Sequence, residues 1–152
     1  DDSPEWLSWR HAVDAVTEAD GPFDVFVSVP ATAPLRAPGD VRRAVDKYLE
    51  GTADLVLTVR QAVANPYFNM VTIDADGAAR VVGRDLGSFT RRQDAPDVFD
   101  ITPVAYVTSP AHIRTAAGVL DGRVEVVDLK AVKIDNRLGI VFAAGRDRTQ
   151  RQ

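Results

Sequence analysis

A buried-strand pattern followed by a proline-rich loop constrains the fold of this chain most strongly. Residues 23–29 form an apolar run rich in β-branched residues, and the run stops at small residues and two prolines. Parallel α/β sheets require buried strands of this length and composition. In open α/β folds, ligands bind just past the carboxyl ends of such strands. The sequence therefore places a candidate site at residues 32–36.

Composition and charge limit the classes of function. The chain has 152 residues, 45% of them hydrophobic and 26% charged, which is typical of one soluble globular domain with a sizeable core. A net charge of -4 gives no reason to expect nucleic acid or an acidic membrane as a partner. The sequence shows no signal peptide and no bilayer-spanning apolar stretch. With no cysteine, disulfides, thiolate metal sites and thiol nucleophiles are excluded, and we expect a cytoplasmic protein.

Hydrophobic periodicity and turn residues predict an α/β fold. We expect a mostly parallel sheet with helices on both faces and a protruding β-hairpin, all within a single domain of residues 1–152. Helices are predicted at 4–19, 39–50, 110–120 and 138–144, strands at 23–29, 54–59, 101–108, 124–129 and 131–134, and a hairpin at 68–73 and 78–82 around a turn at 74–77. No strand precedes the first helix, so we expect either an unusual fold or the later portion of a longer protein.

Several well-known catalytic patterns do not occur. The sequence has no G-x-G-x-x-G run, no Walker-type phosphate loop and no G-x-S-x-G elbow. His11 lies in the first predicted helix among tryptophans, and His112 lies in the first turn of a later helix. Neither has a partner in the pattern, so both are interpreted as structural or solvated.

Three clusters remain as candidates for chemistry. Residues 32–36 are either a plain strand-to-helix connection or a ligand wall with a basic charge partner. Arg91, Arg92 and Gln93 are either solvated or able to bind a carboxylate or phosphate, because a guanidinium offers a planar fork and an amide both donates and accepts. Asp135 is either a helix N-cap or a carboxylate ligand for a divalent cation.

Taken in order, these clusters resemble the acylneuraminate cytidylyltransferases, the CMP-sugar synthetases of the sialic acid type. Ala-Thr-Ala-Pro-Leu-Arg at 31–36 resembles the T-S-P-L-R-like loop of that family, and 92–96 resembles its R-Q-x-x-P segment. Residues 102–106 stand where the family has N-G-A-x-Y, and 133–136 where it has D-I-D-T. Asn65-Pro66 is similar to an N-P pair before the hairpin. Each motif alone is weak, but four in order over essentially the whole chain are fairly specific.

The sequence also departs from the family pattern. Thr102-Pro103 replaces Asn-Gly, Lys133 replaces one of two paired aspartates, and Pro30 and Ala33 replace a Gln and a Ser. The family begins with a strand and an A-x-R-x-G-S-K-like loop that holds the nucleotide triphosphate. This opening does not occur here, so we expect the cytidylyltransferase-like domain to be incomplete at its N-terminus.

The resemblance implies an activity and a set of roles. A sugar-acid hydroxyl would attack the α-phosphate of CTP and release pyrophosphate, with Mg²⁺ and basic groups neutralising the developing charge. The implied roles are nucleotide binding for Thr32 and Arg36, binding of the sialic-acid-like sugar acid for Arg92, Gln93, Thr102 and Tyr106, and metal binding for Asp135. No catalytic residue is assigned, and the family implies a homodimer built partly by the middle segment.

An alternative function stays open beside the enzyme. A non-catalytic relative of these enzymes could bind a ligand or a partner without turnover. Lys133 and Pro103 favour this alternative, because they alter the motifs around the metal and the substrate. Arg92, Gln93 and Asp135 oppose it, because they keep the family pattern.

Overall fold

A computed structural model describes residues 5–33, 36–83, 89 and 91–129, with the side chain of Arg92 also left undescribed. The chain divides into two compact units, Asp1–Val59 with Ile101–Gln152 and Arg60–Asp100. The elements are α1 (Glu5–Asp20), β1 (Phe26–Ser28), α2 (Asp40–Leu49), β2 (Leu55–Gln61), β3 (Val71–Ile73), β4 (Ala79–Val81), β5 (Phe99–Thr108), α3 (Pro110–Thr115) and β6 (Val124–Asp128). The prediction of one domain over residues 1–152 stays a prediction.

A four-stranded sheet in the order β1-β5-β2-β6 forms the centre of the first unit. β1 pairs antiparallel with β5, with Ser28 opposite Tyr106, and β2 pairs parallel with β6. The hydroxyl of Thr108 donates to the carbonyl of Asp54 and that of Thr58 to the carbonyl of Thr102, so β5 also runs antiparallel to β2. Three strands therefore share one direction and β5 opposes them.

The predicted α/β class is confirmed, but neighbouring strands are mostly antiparallel rather than mostly parallel. The reason is the position of β5, which enters the sheet between β1 and β2 and so interrupts a set of strands that all point one way. The apolar pattern of residues 101–108 predicts a strand but carries no information on its direction.

Two apolar cores lie on opposite faces of this sheet, because successive side chains of a strand alternate between faces. One core joins α1 and α3 to β2 and β5, through Trp6, Trp9, Val13, Leu55, Leu57, Val59, Tyr106, Ile113 and Ala116. The other joins α2 to the same strands, through Ala44, Val56, Ala105 and Val107. Burying each large aliphatic side chain contributes roughly 1.5–3 kcal/mol. The predicted helices on both faces are confirmed.

The helix predicted to reach residue 120 ends at Thr115. Its start agrees with the prediction, since the Ser109 hydroxyl caps it by accepting from the backbone N–H of His112 at 3.1 Å. At its end, Arg10 of α1 donates to the carbonyls of Ile113 and Ala116 at 2.9 and 2.6 Å. These bonds satisfy carbonyls that another helical turn would have used, so α1 terminates α3.

The strand predicted at residues 23–29 is also shorter than expected. β1 contains three residues, all half-buried, whereas a fully buried strand was predicted. Within the described ranges β1 stands at the end of the strand order, and a strand with one neighbour is covered less completely than a central one.

The second unit contains the predicted hairpin. β3 and β4 pair antiparallel, with Ile73 opposite Ala79, and the turn at residues 74–77 closes through a bond from Asp74 N–H to the Ala78 carbonyl at 2.9 Å. Gly77 adopts φ +84°, a conformation that other residues rarely reach.

The predicted strand at 131–134 and helix at 138–144 lie outside the described residues. Of the helices that the structure describes, none is long and apolar enough to cross a membrane.

Candidate functional site

The loop that follows β1 carries the predicted nucleotide contacts. Its chain turns at Pro30, whose carbonyl accepts from the backbone N–H of Ala33 at 3.4 Å and from Nη2 of Arg36. Thr32 is exposed in this turn, and Arg36 is half-buried. Arg36 therefore ties the end of the loop back to its beginning, and Thr32 is the residue that the turn presents to solvent.

Asp40 anchors the same loop from the first turn of α2. The Asp40 side chain is buried, and its two oxygens accept from the backbone N–H of Ala37 at 2.8 Å and from Nη2 of Arg43 at 2.7 Å. A charged acceptor makes both bonds stronger than neutral ones. The loop thus leaves β1 and enters α2 with both ends fixed.

β5 brings Thr102 to the same end of the sheet. Because β1 and β5 run antiparallel with Ser28 opposite Tyr106, the chain beyond Ser28 continues toward the Thr102 end of β5. Within the described residues, the Thr102 hydroxyl is buried without a hydrogen-bond partner. Thr102 and the loop of Thr32 and Arg36 therefore lie toward the same end of the sheet, although the strand-end argument placed only residues 32–36 there.

Tyr106 occupies a different environment from Thr102. Its side chain is 9% exposed and its ring lies 5.4 Å from that of Trp9, centroid to centroid. Burial raises the pKa of the Tyr106 phenol, with a smaller contribution from the charge of Glu5. Packing in the core accounts for Tyr106 fully, and its role as a substrate contact stays a prediction.

Two motif segments meet in the second unit. A polar cavity of about 240 Å³ is lined by Gln61, Ala62, Val63, Ala64, Asn65, Ala95, Pro96, Asp97 and Val98. It joins the start of the N-P motif to the end of the R-Q-x-x-P motif. Sites for drug-sized ligands are about 300–1,000 Å³. At about 240 Å³ this cavity is smaller than such a site.

The segment before this cavity holds the predicted sugar-acid residues. Arg92–Asp94 form a single 3₁₀ turn, closed by a bond from the Asp94 N–H to the Arg91 carbonyl at 3.1 Å. Gln93 and Arg91 are exposed. The side chain of Arg92 lies outside the described part of the structure, so its proposed contact stays a prediction.

The Asn65-Pro66 motif makes a compact turn. The side-chain oxygen of Asn65 accepts from the Tyr67 N–H at 2.9 Å. The Pro66 carbonyl accepts from the Gly83 N–H at 2.7 Å, and a Cβ at Gly83 would lie only 2.8 Å from the Tyr67 ring. This close approach requires glycine and explains the motif as a structural element of the second unit.

The metal ligand predicted from the sequence, Asp135, lies outside the described residues. In the described ranges, no three histidine, cysteine or carboxylate side chains gather into a group that could hold a metal ion. Magnesium therefore stays a prediction that rests on the resemblance.

The sequence argument missed two residues that shape this site. Asp40 belongs to the helix predicted at 39–50, and the sequence pattern does not indicate that its carboxylate accepts from the loop before the helix. Thr58 was part of a buried strand, and its hydroxyl bonds to β5 across 44 residues of sequence. The sequence indicates such a contact only through the presence of a polar threonine within the apolar run Leu55–Val59.

Comparison with known proteins gives two findings. The chain is 34% identical over 85 residues to "Post-translational flagellin modification protein B" from Campylobacter coli, covering 56% of this chain and 35% of that protein. Its structure is similar to that of a 4-diphosphocytidyl-2C-methyl-D-erythritol synthase from Anaerococcus prevotii, with a TM-score of 0.53, 13% identity, and coverage of 96% of this chain and 65% of the other. No protein-family model matches the chain.

The structural match describes the fold, and the sequence match describes a similarity to one curated protein. At 13% identity the structural likeness concerns the fold alone. The sequence match spans about a third of the length of the curated relative. The two comparisons therefore give a fold and a partial sequence similarity.

Proposed function

We propose that this chain is part of a nucleotidyltransferase that transfers CMP from CTP to a sialic-acid-like sugar acid. A hydroxyl oxygen of the sugar acid bonds to the α-phosphorus of CTP, and the bond from that phosphorus to the leaving pyrophosphate breaks. The observation that carries the proposal is the fold likeness over 96% of the chain to an enzyme whose name specifies a diphosphocytidyl product. A relative that modifies flagellin fits an enzyme that prepares an activated donor.

The nucleotide is assigned to the loop after β1. One N–H of Arg36 donates to the Pro30 carbonyl, and the rest of its guanidinium remains as a positively charged group in the same loop as Thr32. Such a preorganised positive group stabilises charge that develops on a phosphate during transfer. The bond from Arg36 to the Pro30 carbonyl supports this assignment, because it holds Arg36 at the start of the loop.

The sugar acid is assigned to Arg92, Gln93, Thr102 and Tyr106, with Asp135 as the magnesium ligand. The exposed side chain of Gln93 in the 3₁₀ turn supports its assignment, because it can reach a ligand without displacing core residues, and Arg92 is assigned by the resemblance. The cytoplasm is the proposed location, and neither nucleic acid nor a membrane is a proposed partner.

A homodimer is the proposed assembly. The hairpin of the second unit exposes apolar side chains, with Val71 52% and Ile73 71% accessible. A two-stranded hairpin is only marginally stable in water by itself. A second copy of the chain packed on this face would remove that apolar surface from water.

Pyrophosphate release tests the proposed reaction directly. The intact protein is supplied with CTP, magnesium and N-acetylneuraminate, and pyrophosphate is followed with time. Release that needs both CTP and the sugar acid, and that falls at least tenfold when UTP replaces CTP, is the expected result. No release with any sugar acid tested would contradict the proposal.

The alternative function is a binding module without turnover. Pro103 inside β5 favours it, because a proline there restricts the strand beside Thr102. This alternative predicts that CTP or the sugar acid binds, as measured by calorimetry, while no pyrophosphate forms.

A further inference from the structure

Pro103 stands in an unusual place within the sheet. It belongs to β5, which has β1 on one side and β2 on the other. Proline has no backbone N–H, so it removes a bond from the ladder and is normally restricted to edge strands or bulges. The pairing of β1 covers residues 106–108 of β5, so Pro103 lies outside it and β2 is the neighbouring strand there within the described residues.

The hydroxyl of Thr58 in β2 bonds to β5 on both sides of Pro103. It donates to the Thr102 carbonyl at 2.8 Å and accepts from the Ala105 N–H at 3.2 Å. In a regular strand, the N–H and C=O groups of successive residues point alternately to its two neighbours, so residues 102 and 105 should face opposite sides. Because one hydroxyl of Thr58 bonds to both the Thr102 carbonyl and the Ala105 N–H, the pairing departs locally from the regular pattern. The bridge spans Pro103 on both sides.

The Thr58 hydroxyl lies in a buried, apolar environment, where both of its hydrogen bonds matter. Thr58 is fully buried, within an apolar run from Leu55 to Val59. A buried hydroxyl is costly unless its bonds are made, and here it acts as donor and acceptor together. Valine would fill nearly the same space without either bond.

We propose that Thr58 is a positioning residue that pairs the Thr102 carbonyl and the Ala105 N–H on either side of Pro103 and thereby fixes Thr102 at the sheet end that carries the candidate site. The role of Thr102 toward the sugar acid rests on the proposed function. The bridge itself does not, because it is defined by Thr58, Thr102 and Ala105 alone.

Amide hydrogen exchange tests the bridge. Thr58→Val removes the acceptor of the Ala105 N–H. Exchange of this amide should therefore accelerate about tenfold, because tenfold corresponds to about 1.4 kcal/mol and the loss of one hydrogen bond costs about that much. Thr58→Ser, which keeps the hydroxyl, should restore slow exchange. Thr108→Val is the matched control, since Thr108 is an equally buried threonine of β5 whose hydroxyl donates to the Asp54 carbonyl at 2.7 Å. Equal acceleration at Ala105 in the Thr58 and Thr108 variants would overturn the proposal.

Ligand binding separates this inference from the proposed function. Under conditions where every variant is folded, Thr58→Val should weaken N-acetylneuraminate binding about tenfold, Thr58→Ser should bind more tightly than Thr58→Val, and Thr108→Val should stay within twofold of the unmodified protein. If the unmodified protein does not bind the sugar acid, the proposed function fails and the exchange data decide the bridge. If it binds and Thr58→Val binds equally well, the positioning role is wrong.

Discussion

Asp40 shows how a single carboxylate can hold a candidate site in place. Its bonds to the Ala37 N–H and to Arg43 fix the loop that carries Thr32 and Arg36. Removing a buried acceptor leaves its donors unpaired at a cost of about 1–3 kcal/mol. We expect Asp40→Ala to lower the free energy of unfolding by that amount in urea titrations, and Asp40→Asn to retain part of it because the amide oxygen still accepts from Ala37.

Asp46 of the same helix provides the control. It pairs with Arg42 at 2.7 Å, but both side chains are more than half exposed. Exposed i,i+4 pairs contribute about 0.3–0.5 kcal/mol. Asp46→Ala should therefore stay within that range, and equal losses for Asp40→Ala and Asp46→Ala would contradict the anchoring role.

Arg92 tests the assignment of the sugar acid. A charge-assisted hydrogen bond contributes about 1.5–3 kcal/mol, so Arg92→Ala should weaken use of the sugar acid by about one to two powers of ten. Arg92→Lys should restore little, because an ammonium keeps the charge but loses the planar fork. Arg91→Ala is the control at the neighbouring residue and should change the use of the sugar acid very little, since Arg91 is exposed.

Steady-state kinetics at varied sugar-acid and CTP concentrations distinguish these outcomes. The loss in Arg92→Ala should appear against the sugar acid and leave the dependence on CTP within about twofold. A loss confined to CTP, or equal losses at both arginines, would remove Arg92 from the sugar-acid site.

Lys47 joins α2 to β6 and makes their contact dependent on pH. Its ammonium lies 2.7 Å from Glu50 and 3.1 Å from Glu125. These bonds, with Glu50 first, raise the pKa of Lys47 above its ordinary 10.5, and the bond from Lys47 lowers the pKa of Glu125 below its ordinary 4.5. The stabilisation through Glu125 is present above pH 4.5 and is lost as the pH falls through the lowered pKa. The stabilisation through Lys47 is present below pH 10.5 and is lost as the pH rises through the raised pKa.

The difference in unfolding free energy between the unmodified protein and Glu125→Gln gives the measurement. We expect this difference to be constant from about pH 6 to 9 and to shrink below pH 4.5. Added salt should reduce it, because both groups are near the surface. A difference that grows as the pH falls below 4.5 would show that the sign is wrong.

Helices and turns can be predicted from the sequence where they depend mainly on residues that are close together in the chain. Trp6, Trp9, Val13 and Val16 recur at helical spacing. The first three lie in the core as that spacing predicts, whereas Val16 is 43% exposed. The hairpin turn ends at Gly77, which adopts the positive φ that its place in the turn requires. The direction of β5 and the end of α3 could not be predicted, because both depend on neighbours distant in sequence, such as Arg10 at the end of α3.

In the candidate site, too, some residues can be predicted from the nearby sequence, whereas the roles of others depend on contacts between different elements. The position of Thr32 and Arg36 was predictable, since a loop after a strand is a local feature. Thr58 and Asp40 were not recognised, because their roles appear only when β2 lies beside β5 and α2 beside its preceding loop. Side chains that support a site from a distance leave little trace in one sequence.

At the scale of the whole molecule, the exposed hairpin predicts the assembly. Val71 and Ile73 lie on one face of β3 because alternate residues of a strand share a face, while Thr72 points to the other. Aliphatic side chains this exposed in neighbouring positions are typical of an interaction surface. We therefore expect a dimer by sedimentation equilibrium, with these two residues in its interface.

Ile73→Lys and Thr72→Lys separate an interface from a general effect of charge on the hairpin. A lysine at residue 73 would place a charge in the buried part of a dimer, so the dissociation constant should rise at least tenfold, equivalent to about 1.4 kcal/mol. The same lysine at residue 72 lies on the opposite face and should change it by less than threefold. Because β3 and β4 pair through backbone bonds, neither variant should unfold the hairpin, which circular dichroism can verify. A monomer in the unmodified protein would exclude the homodimer, and equal weakening by both lysines would show that this face of β3 is not the contact.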